Sequence, residues 1–365
     1  MNAASKPFDG EHKYIRITDI DENTSEYKED GVVSPDSEID EHYRVNENDI
    51  LFARTGASTG KTYLYSPKDG RLYFAGFLIR MNVSSLNNAR FVFYLTQTSR
   101  YKKWVQIMSM RSGQPGINSQ EYSSYRCFLP KLEEQQKIAD LLTLVDRRIS
   151  VQNKVIEDCT TLEKEIQNLV FSRINAPLVP LSSISERVAE RNSALESDNV
   201  LTISAREGLI SQFEFFNKTV ASENLSNYYL LRKDDFAYNK SYSSDYPWGA
   251  IKHLERYDTG VLSPLYFCFR PNKEIVDTRY LQFFFDTKLW HKHIADIAVE
   301  GARNHGLLNM TVGDFYTMPI LLPTMKEQKE IAEKLSAIRE KRVVAESIYR
   351  LFLQQKRYLL EKLFI

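Results

Sequence analysis

Phe128-Leu129-Pro130 is followed by KLEEQQKIADLLTLV (131–145), and Leu321-Leu322-Pro323 by TMKEQKEIAEKLSAI (324–338). At a spacing of 193 residues the two stretches share Pro130/Pro323, Glu134/Glu327, Gln135/Gln328, Ile138/Ile331, Ala139/Ala332 and Leu142/Leu335. The same spacing, without a gap, pairs Phe171 with Phe364. Upstream, a spacing of 186 pairs Tyr14-Ile15-Arg16-Ile17 with Val200-Leu201-Thr202-Ile203 and Asp49 with Asp235, and one of 189 pairs Arg90-Phe91 with Arg279-Tyr280. Self-similarity on this scale marks a tandem duplication, each copy a variable region followed by a long periodic segment.

The periodic segments read as helices. Ile138, Leu142, Val145, Ile149, Gln152, Ile156, Cys159, Glu163, Ile166 and Val170 alternate steps of four and three, and no Gly or Pro interrupts 133–172. The second copy runs Ile331, Leu335, Ile338, Arg342, Ala345, Tyr349, Phe352, Lys356, Leu359, Leu363. In each copy eight of ten positions are apolar, counting Cys, which is a heptad seam sustained long enough for a coiled coil. Pro130 and Pro323 suit a helix start, where a missing amide hydrogen costs nothing. Two amphipathic helices packed on separate cores would show the same period, but matched length and matched seam favour packing on each other. Domain limits follow: 1–130 and 173–323 as globular regions, 131–172 and 324–365 as long helices.

The globular regions read as α+β. YIRI, DILFA and LYFAGFLIRM in the first copy, and NVLTI, DDFAY and LYFCFR in the second, have strand composition. ARFVFYLTQTSRYKKWVQIM and TRYLQFFFDTKLWHKHIADI read as one amphipathic helix in each copy.

Composition narrows the class. The 365 residues have a mean hydropathy of −0.41 and no long apolar run, which excludes a membrane-spanning helix. The N-terminal sequence lacks a leader pattern, and three scattered cysteines fit neither a disulfide framework nor a zinc site, so the expected location is the cytoplasm. Net charge is zero, yet residues 1–50 carry 5 basic and 14 acidic residues, whereas 51–130 carry 11 basic and only Asp69 and Glu121 as acids. The neutral total conceals a basic block suited to a polyanion.

Gly56-Ala57-Ser58-Thr59-Gly60-Lys61-Thr62 follows the strand DILFA but has three residues between its glycines, where a phosphate loop needs four, and no helical pattern follows it. It reads instead as a turn exposing Arg54, Thr55, Thr59 and Lys61 to phosphates or base edges. A second glycine-rich loop carries Arg111, Ser112, Gln114 and Asn118, and the second copy offers Arg303, Asn304 and His305 at the matching place. Asn239, Lys240, Ser241 and Tyr242 occupy the place of the first turn. Arg, Gln and Asn make bidentate contacts to guanine and adenine, so these are the candidate DNA-contacting residues. His291 and His293, two apart on a helix, do not share a face and read as surface rather than as a metal pair. No methyltransferase cofactor motif or nuclease cluster is present, and the chain reads as a recognition protein without catalytic or metal-binding residues.

The sequence resembles the specificity subunit of type I restriction-modification systems. The resemblance rests on DILFARTGASTGK, SGQPGIN, DDFAYNKSYSSDYPWGAI, GVLSPLYFCFRP, EGARNHGLLN and the two PxxxEQxxIAxxL helix starts, and covers nearly the whole chain. It implies two target-recognition domains separated by an antiparallel coiled coil, each reading one half of an asymmetric bipartite site on double-stranded DNA. It also implies two methyltransferase subunits and restriction-translocase subunits as partners, with S-adenosylmethionine, ATP and Mg bound there and no cofactor in this chain. A 40-residue helix is about 60 Å long and DNA repeats every ~34 Å, so the coil suffices to set two domains on one duplex. The alternative is a coiled-coil scaffold binding only proteins. One departure stands out: the second region opens with LVPLSSISERVAERNSALESDN (178–199), and residues 1–13 do not resemble the end of that stretch. The first domain is expected to lack this opening element, with three explanations open: a truncated chain, a rearranged gene, or a gap filled by the C-terminal end closing on the N-terminus.

Overall fold

In the computed structural model, residues 1–22, 24–111, 113–204, 208–216, 224–241, 246–298 and 308–364 are described. The two long helices span Leu132–Arg173 and Met325–Leu363. The chain divides into two compact units, residues 1–155 with 345–365, and residues 156–344. Each unit therefore holds a globular region and a stretch of both long helices.

In the first unit the strand Asp49–Ala53 is the centre of a three-stranded antiparallel sheet, between Thr62–Leu64 and Leu78–Asn82. All five of its residues are buried, and strand alternation divides them between two cores. Ile50 and Phe52 join Phe93, Tyr101, Val105 and Leu142 on the helical side, while Leu51 and Ala53 join Ile15, Tyr63, Leu72 and Phe74. Lys13–Ile15 pairs in parallel with Leu72–Phe74. The stretch expected as a single strand, LYFAGFLIRM, is thus two strands in different sheets, 72–74 and 78–82.

The second unit repeats the plan. Phe236–Asn239 lies between Ala250–His253 and Phe267–Pro271, with Phe236 and Tyr238 on one core and Ala237 on the other. The aspartate that opens each central strand has a structural role. Buried Asp49 accepts from the Asn46 amide at 2.8 Å and from Asn82 Nδ2 at 2.8 Å. Asp235 accepts from the Arg232 amide at 2.8 Å and is clasped by Arg270. Both carboxylates fix the turn before the strand and tie it to the strand alongside.

The helix expected at 89–108 is broken into Ala89–Leu95 and Ser99–Met108, and the one at 278–297 into Thr278–Phe285 and His291–Ile297. Threonine hydroxyls terminate the first segments: Thr96 donates to Phe93 O and Thr287 to Phe284 O, and Thr98 caps the next helix.

All twenty seam positions are buried or half-buried. Within the first unit, Leu142 packs with Leu359 and Leu360, Gln152 Nε2 donates to Ala345 O, and Lys356 bonds Asp146 at 2.8 Å. Within the second, Glu163 accepts from Arg339 Nε at 2.8 Å and Arg342 Nε at 3.0 Å, while Phe171 shares a core with Ala332 and Leu335. Residue numbers rising on one helix meet falling numbers on the other, so the helices pair antiparallel. The ion pairs between the helices obey the repeat with the charges exchanged. Asp146 and Arg339 are equivalent, as are Glu163 and Lys356, so each unit has its acid on the first helix and its base on the second. The aromatic beside each cluster follows suit: Tyr94 donates its hydroxyl to Asp146, whereas Phe283, at the matching place, stacks under the Arg339 guanidinium at 4.3 Å.

The shared Gln of the two helix starts has an equally specific role. Gln135 accepts from the Asn88 amide at 2.9 Å and donates to Asn87 Oδ1 and Pro130 O. Gln328 accepts from the Asp277 amide at 2.8 Å and donates to Pro323 O and Ile275 O. Each buried amide fastens a long helix to the capping residue of a domain helix.

Candidate nucleic-acid interface

The glycine-rich turn closes the hairpin between Asp49–Ala53 and Thr62–Leu64. Ala53 donates to Lys61 O at 2.8 Å and Gly60 to Ala53 O at 2.9 Å. Gly56 and Gly60 have φ of 79° and 89°, the left-handed region that favours glycine, and a side chain at Gly60 would collide with Val105. The amides of Thr59, Gly60 and Lys61 are consumed inside the turn, so it forms no phosphate-loop cradle.

The turn does not stand alone. Ile117 N donates to Arg54 O at 2.9 Å, Gly56 N to Pro115 O at 2.9 Å, and Thr55 bridges Gly116, so the second glycine-rich loop is zipped alongside the first. In the second unit Leu308 N donates to Lys240 O, also at 2.9 Å. Buried Ile117 and Leu308 thus anchor the later loop against the strand end in both units. Beneath the first pair lie Phe52, Tyr101, Trp104 and Tyr122, with the Tyr122 hydroxyl on Ala53 O and the Tyr101 hydroxyl on Gly60 O. An open groove of about 980 Å³ runs past the turn, lined by Gly56–Lys61, Lys102, Gln106 and Pro115 among others.

The candidate residues are not equally available. Arg54 and Gln114 are exposed, and Thr55 is half-buried. Thr59 turns its hydroxyl inward onto Gly56 O at 2.7 Å. Lys61, expected on an exposed turn, has a side chain only 13% accessible, 3.9 Å from Glu22. Burial pushes its ammonium below the ordinary lysine range, because the turn folds it back onto the domain. Arg111 is held by Glu121, and Asn118 caps the helix Ser119–Ser123, its Oδ1 accepting from the Glu121 amide at 2.9 Å. Glycine-rich context did not distinguish a cap from a loop side chain. In the second unit Asn239 Oδ1 accepts from the Ser241 amide, Ser241 is exposed, and half-buried Lys240 lies 4.4 Å from the Phe267 ring centre. Burial lowers the Lys240 pKa too. Ser112, Tyr242, Arg303, Asn304 and His305 lie outside the described residues. Of the histidine pair, His291 stands edge-on to Trp290 and His293 faces Asp314 O at 3.2 Å.

The charge asymmetry has a structural explanation. Acids of the first fifty residues neutralise part of the basic block: Glu26 pairs with Lys68, and Glu11 and Glu41 with Arg71. Exposed Arg54, Arg100, Lys102 and Lys103 make no salt bridge among the described residues. The last three lie on the helix Ser99–Met108, and Lys102 lines the groove. In the sequence these three were visible only as part of the basic block, their signal being a run of bases on a helix adjoining the glycine-rich loop.

Residues 1–160 match the family model described as the type I restriction modification DNA specificity domain. Over 152 residues the chain is 28% identical to the type I restriction enzyme MjaVIII specificity subunit of Methanocaldococcus jannaschii, covering 41% of this chain and 34% of that protein. The chain thus spans about a third of the length of this curated relative. Among solved structures, 99% of the chain superposes on 90% of the type I restriction-modification system S subunit from M. genitalium, with 15% identity and a TM-score of 0.61. A chain from a study of complex assembly and conformational transition of the type I R-M system shares 14% identity, with 96% and 90% coverage and a TM-score of 0.53. At such identities the likeness is one of fold.

Proposed function

We propose that the chain, whose residues 1–160 match the type I restriction modification DNA specificity domain, is a type I specificity subunit that reads DNA sequence for such a complex without performing catalysis itself. Each unit reads one half of a bipartite site, and because the two loop pairs differ in sequence the two halves differ as well. The observation that carries this reading is the repeated pairing of the strand-end loop with the later loop, Arg54 with Ile117 and Lys240 with Leu308. Paired loops at the end of a central strand present backbone and short polar side chains together, as base-edge reading requires. Arg100, Lys102 and Lys103 supply phosphate contacts beside the first pair.

Two methyltransferase subunits, and restriction-translocase subunits with them, would dock on the long helices and bind the S-adenosylmethionine, ATP and Mg that the chemistry requires. The aliphatic residues that the helices leave exposed, among them Leu144, Val151, Leu162, Val344, Ile348 and Leu351, support docking of protein partners. Among the described residues no helix is long and apolar enough to cross a membrane. Action in the cytoplasm completes the proposal.

The test is retention of the assembled chain on duplex DNA as salt is raised. Phosphate-dominated binding falls linearly in a log–log plot. Absence of binding at low salt would favour a scaffold that holds only proteins.

A further inference from the structure

A cavity of about 560 Å³ lies wholly within the first unit, between the strand Thr62–Leu64 with the turn that follows it, the helix Ala89–Leu95 and both long helices. That size falls within the roughly 300–1,000 Å³ of small-molecule sites. Its wall is built from groups that are already held in place. The buried Tyr63 hydroxyl donates to Asp69 at 2.6 Å, the Tyr94 hydroxyl donates to Asp146 at 2.7 Å, and Lys356 closes on Asp146 at 2.8 Å. Phe93, Ile149 and Leu353 add apolar surface between them.

The charges of the wall are satisfied by one another, with two exceptions. Asp146 meets Lys356, Glu26 meets Lys68 at 3.0 Å, and Asp69, turned inward and buried, holds the Tyr63 hydroxyl. Arg90 and Arg147 are exposed, line the same cavity and have no partner among the described residues. Helical spacing explains how both reach it. Arg90 lies one turn before Tyr94, and Arg147 lies one turn before Ser150 and Val151, all of which line the wall. The second unit does not repeat this pair. At the spacing of 193 the counterpart of Arg147 is Glu340, and Arg279, the counterpart of Arg90, pairs with Asp277 at 3.5 Å.

We propose that this cavity of the first unit is a binding site for a small aromatic anion. The guanidinium forks of Arg90 and Arg147 take its carboxylate, sulfonate or phosphate, and its flat body packs against Phe93, Tyr94, Ile149 and Leu353. An apolar pocket with a few convergent polar groups is the usual make-up of a small-molecule site. The charge left over here is positive, which selects an anion, and the arginine pair occurs in one copy of the repeat, which sets one site per chain. None of the candidate DNA-contacting residues lines this cavity. The proposal therefore does not rest on DNA reading, and either can fail alone.

The probe is anilinonaphthalene sulfonate, an aromatic anion whose fluorescence rises in apolar surroundings, titrated onto the intact chain. The expected result is saturable binding at one site per chain, displaced by naphthoate and not by the neutral naphthalenemethanol of nearly the same shape. Arg90→Gln together with Arg147→Gln weakens binding at least about tenfold, whereas Arg148→Gln, next on the helix but outside the cavity wall, changes it by less than about twofold. Both arginines are exposed and without a partner among the described residues, so the double variant removes no contact between them. No saturable binding, binding unchanged in the double variant, an equal loss in Arg148→Gln, or equal displacement by the alcohol overturns the proposal. Release of the probe by a duplex DNA oligonucleotide would assign the two arginines to a nucleic-acid surface and overturns it as well.

Discussion

Replacement of Arg339 by Met tests how the long helices are held in the second unit. The guanidinium donates through Nε to Glu163 at 2.8 Å and through Nη2 to Asp286 at 2.9 Å, with its plane over Phe283. Burial opposes the charge on Asp286, but Lys252 and Arg339 outweigh it and hold the carboxyl below the usual range. Removing one partner of a buried pair costs about 3–5 kcal/mol when the other is left bare. Here Glu163 keeps Arg342, and Asp286 keeps Lys252 at 2.6 Å and Gln282 at 2.8 Å, while Met retains packing on Phe283. The loss is therefore two charge-assisted bonds, about 2–4 kcal/mol in total. Urea unfolding followed by tryptophan fluorescence, with Trp248 and Trp290 in the second unit, reads this as a midpoint shift on the order of 1 M. Arg339→Lys falls between, because one ammonium cannot span both carboxylates. The Asp286 contribution has a definite pH window: with the folded pKa below the unfolded value of about 3.9, it is present above that pH and lost as pH falls through the folded pKa. The gap between wild type and variant therefore narrows in acid. An Arg339→Met cost under about 0.5 kcal/mol, or strict additivity with Glu163→Gln, would show that Arg339 does not hold the helices in this way.

Three further outcomes follow from the same structure. Asp146→Lys puts two cations together beside Tyr94 and lowers stability, and adding Lys356→Asp restores most of the loss, because the second unit already holds its charges in the exchanged order; a double variant no better than the single contradicts this. Gln135→Leu leaves the Asn88 amide and Pro130 carbonyl without their buried partner and costs about 1–3 kcal/mol in urea unfolding, whereas the exposed neighbour Gln136→Leu costs less than about 0.5. Arg100, Lys102 and Lys103 together changed to Gln leave thermal stability intact but flatten the salt dependence of DNA binding by up to about 2.7 in log–log slope, at about 0.9 per phosphate contact; an unchanged slope removes this helix from the interface.

The long helices were legible because a heptad seam writes itself into sequence, and every seam position is buried or half-buried. Glu163 and Lys356 were visible only as interruptions of that seam. That Glu163 meets Arg339 and Lys356 meets Asp146 depends on the antiparallel register, which no single helix encodes. The EQ pair of the helix start was conspicuous as a repeat, yet the reach of Gln135 to Asn88, 47 residues away, is a tertiary fact. The broken helices at 95–99 and 285–291 escaped the period because a threonine hydroxyl can bond its own helix carbonyl without altering the apolar pattern. Among the site residues, the turn was recognised, but the inward fold of Lys61 and the capping role of Asn118 were not. Both depend on local hydrogen bonds that compete with display to a ligand. Net charge misleads in the same way, since ion pairs such as Glu11 and Glu41 with Arg71 spend acids on bases inside one unit and leave the helix Ser99–Met108 basic.

Methylome sequencing of cells that express the chain with a methyltransferase subunit of the proposed kind is the decisive measurement. The expected result is methylation at one asymmetric bipartite motif, with substitution of Arg54 and Gln114 in the first loop pair altering one half of that motif and sparing the other. Methylation with no new motif, or a motif indifferent to those loops, would contradict it.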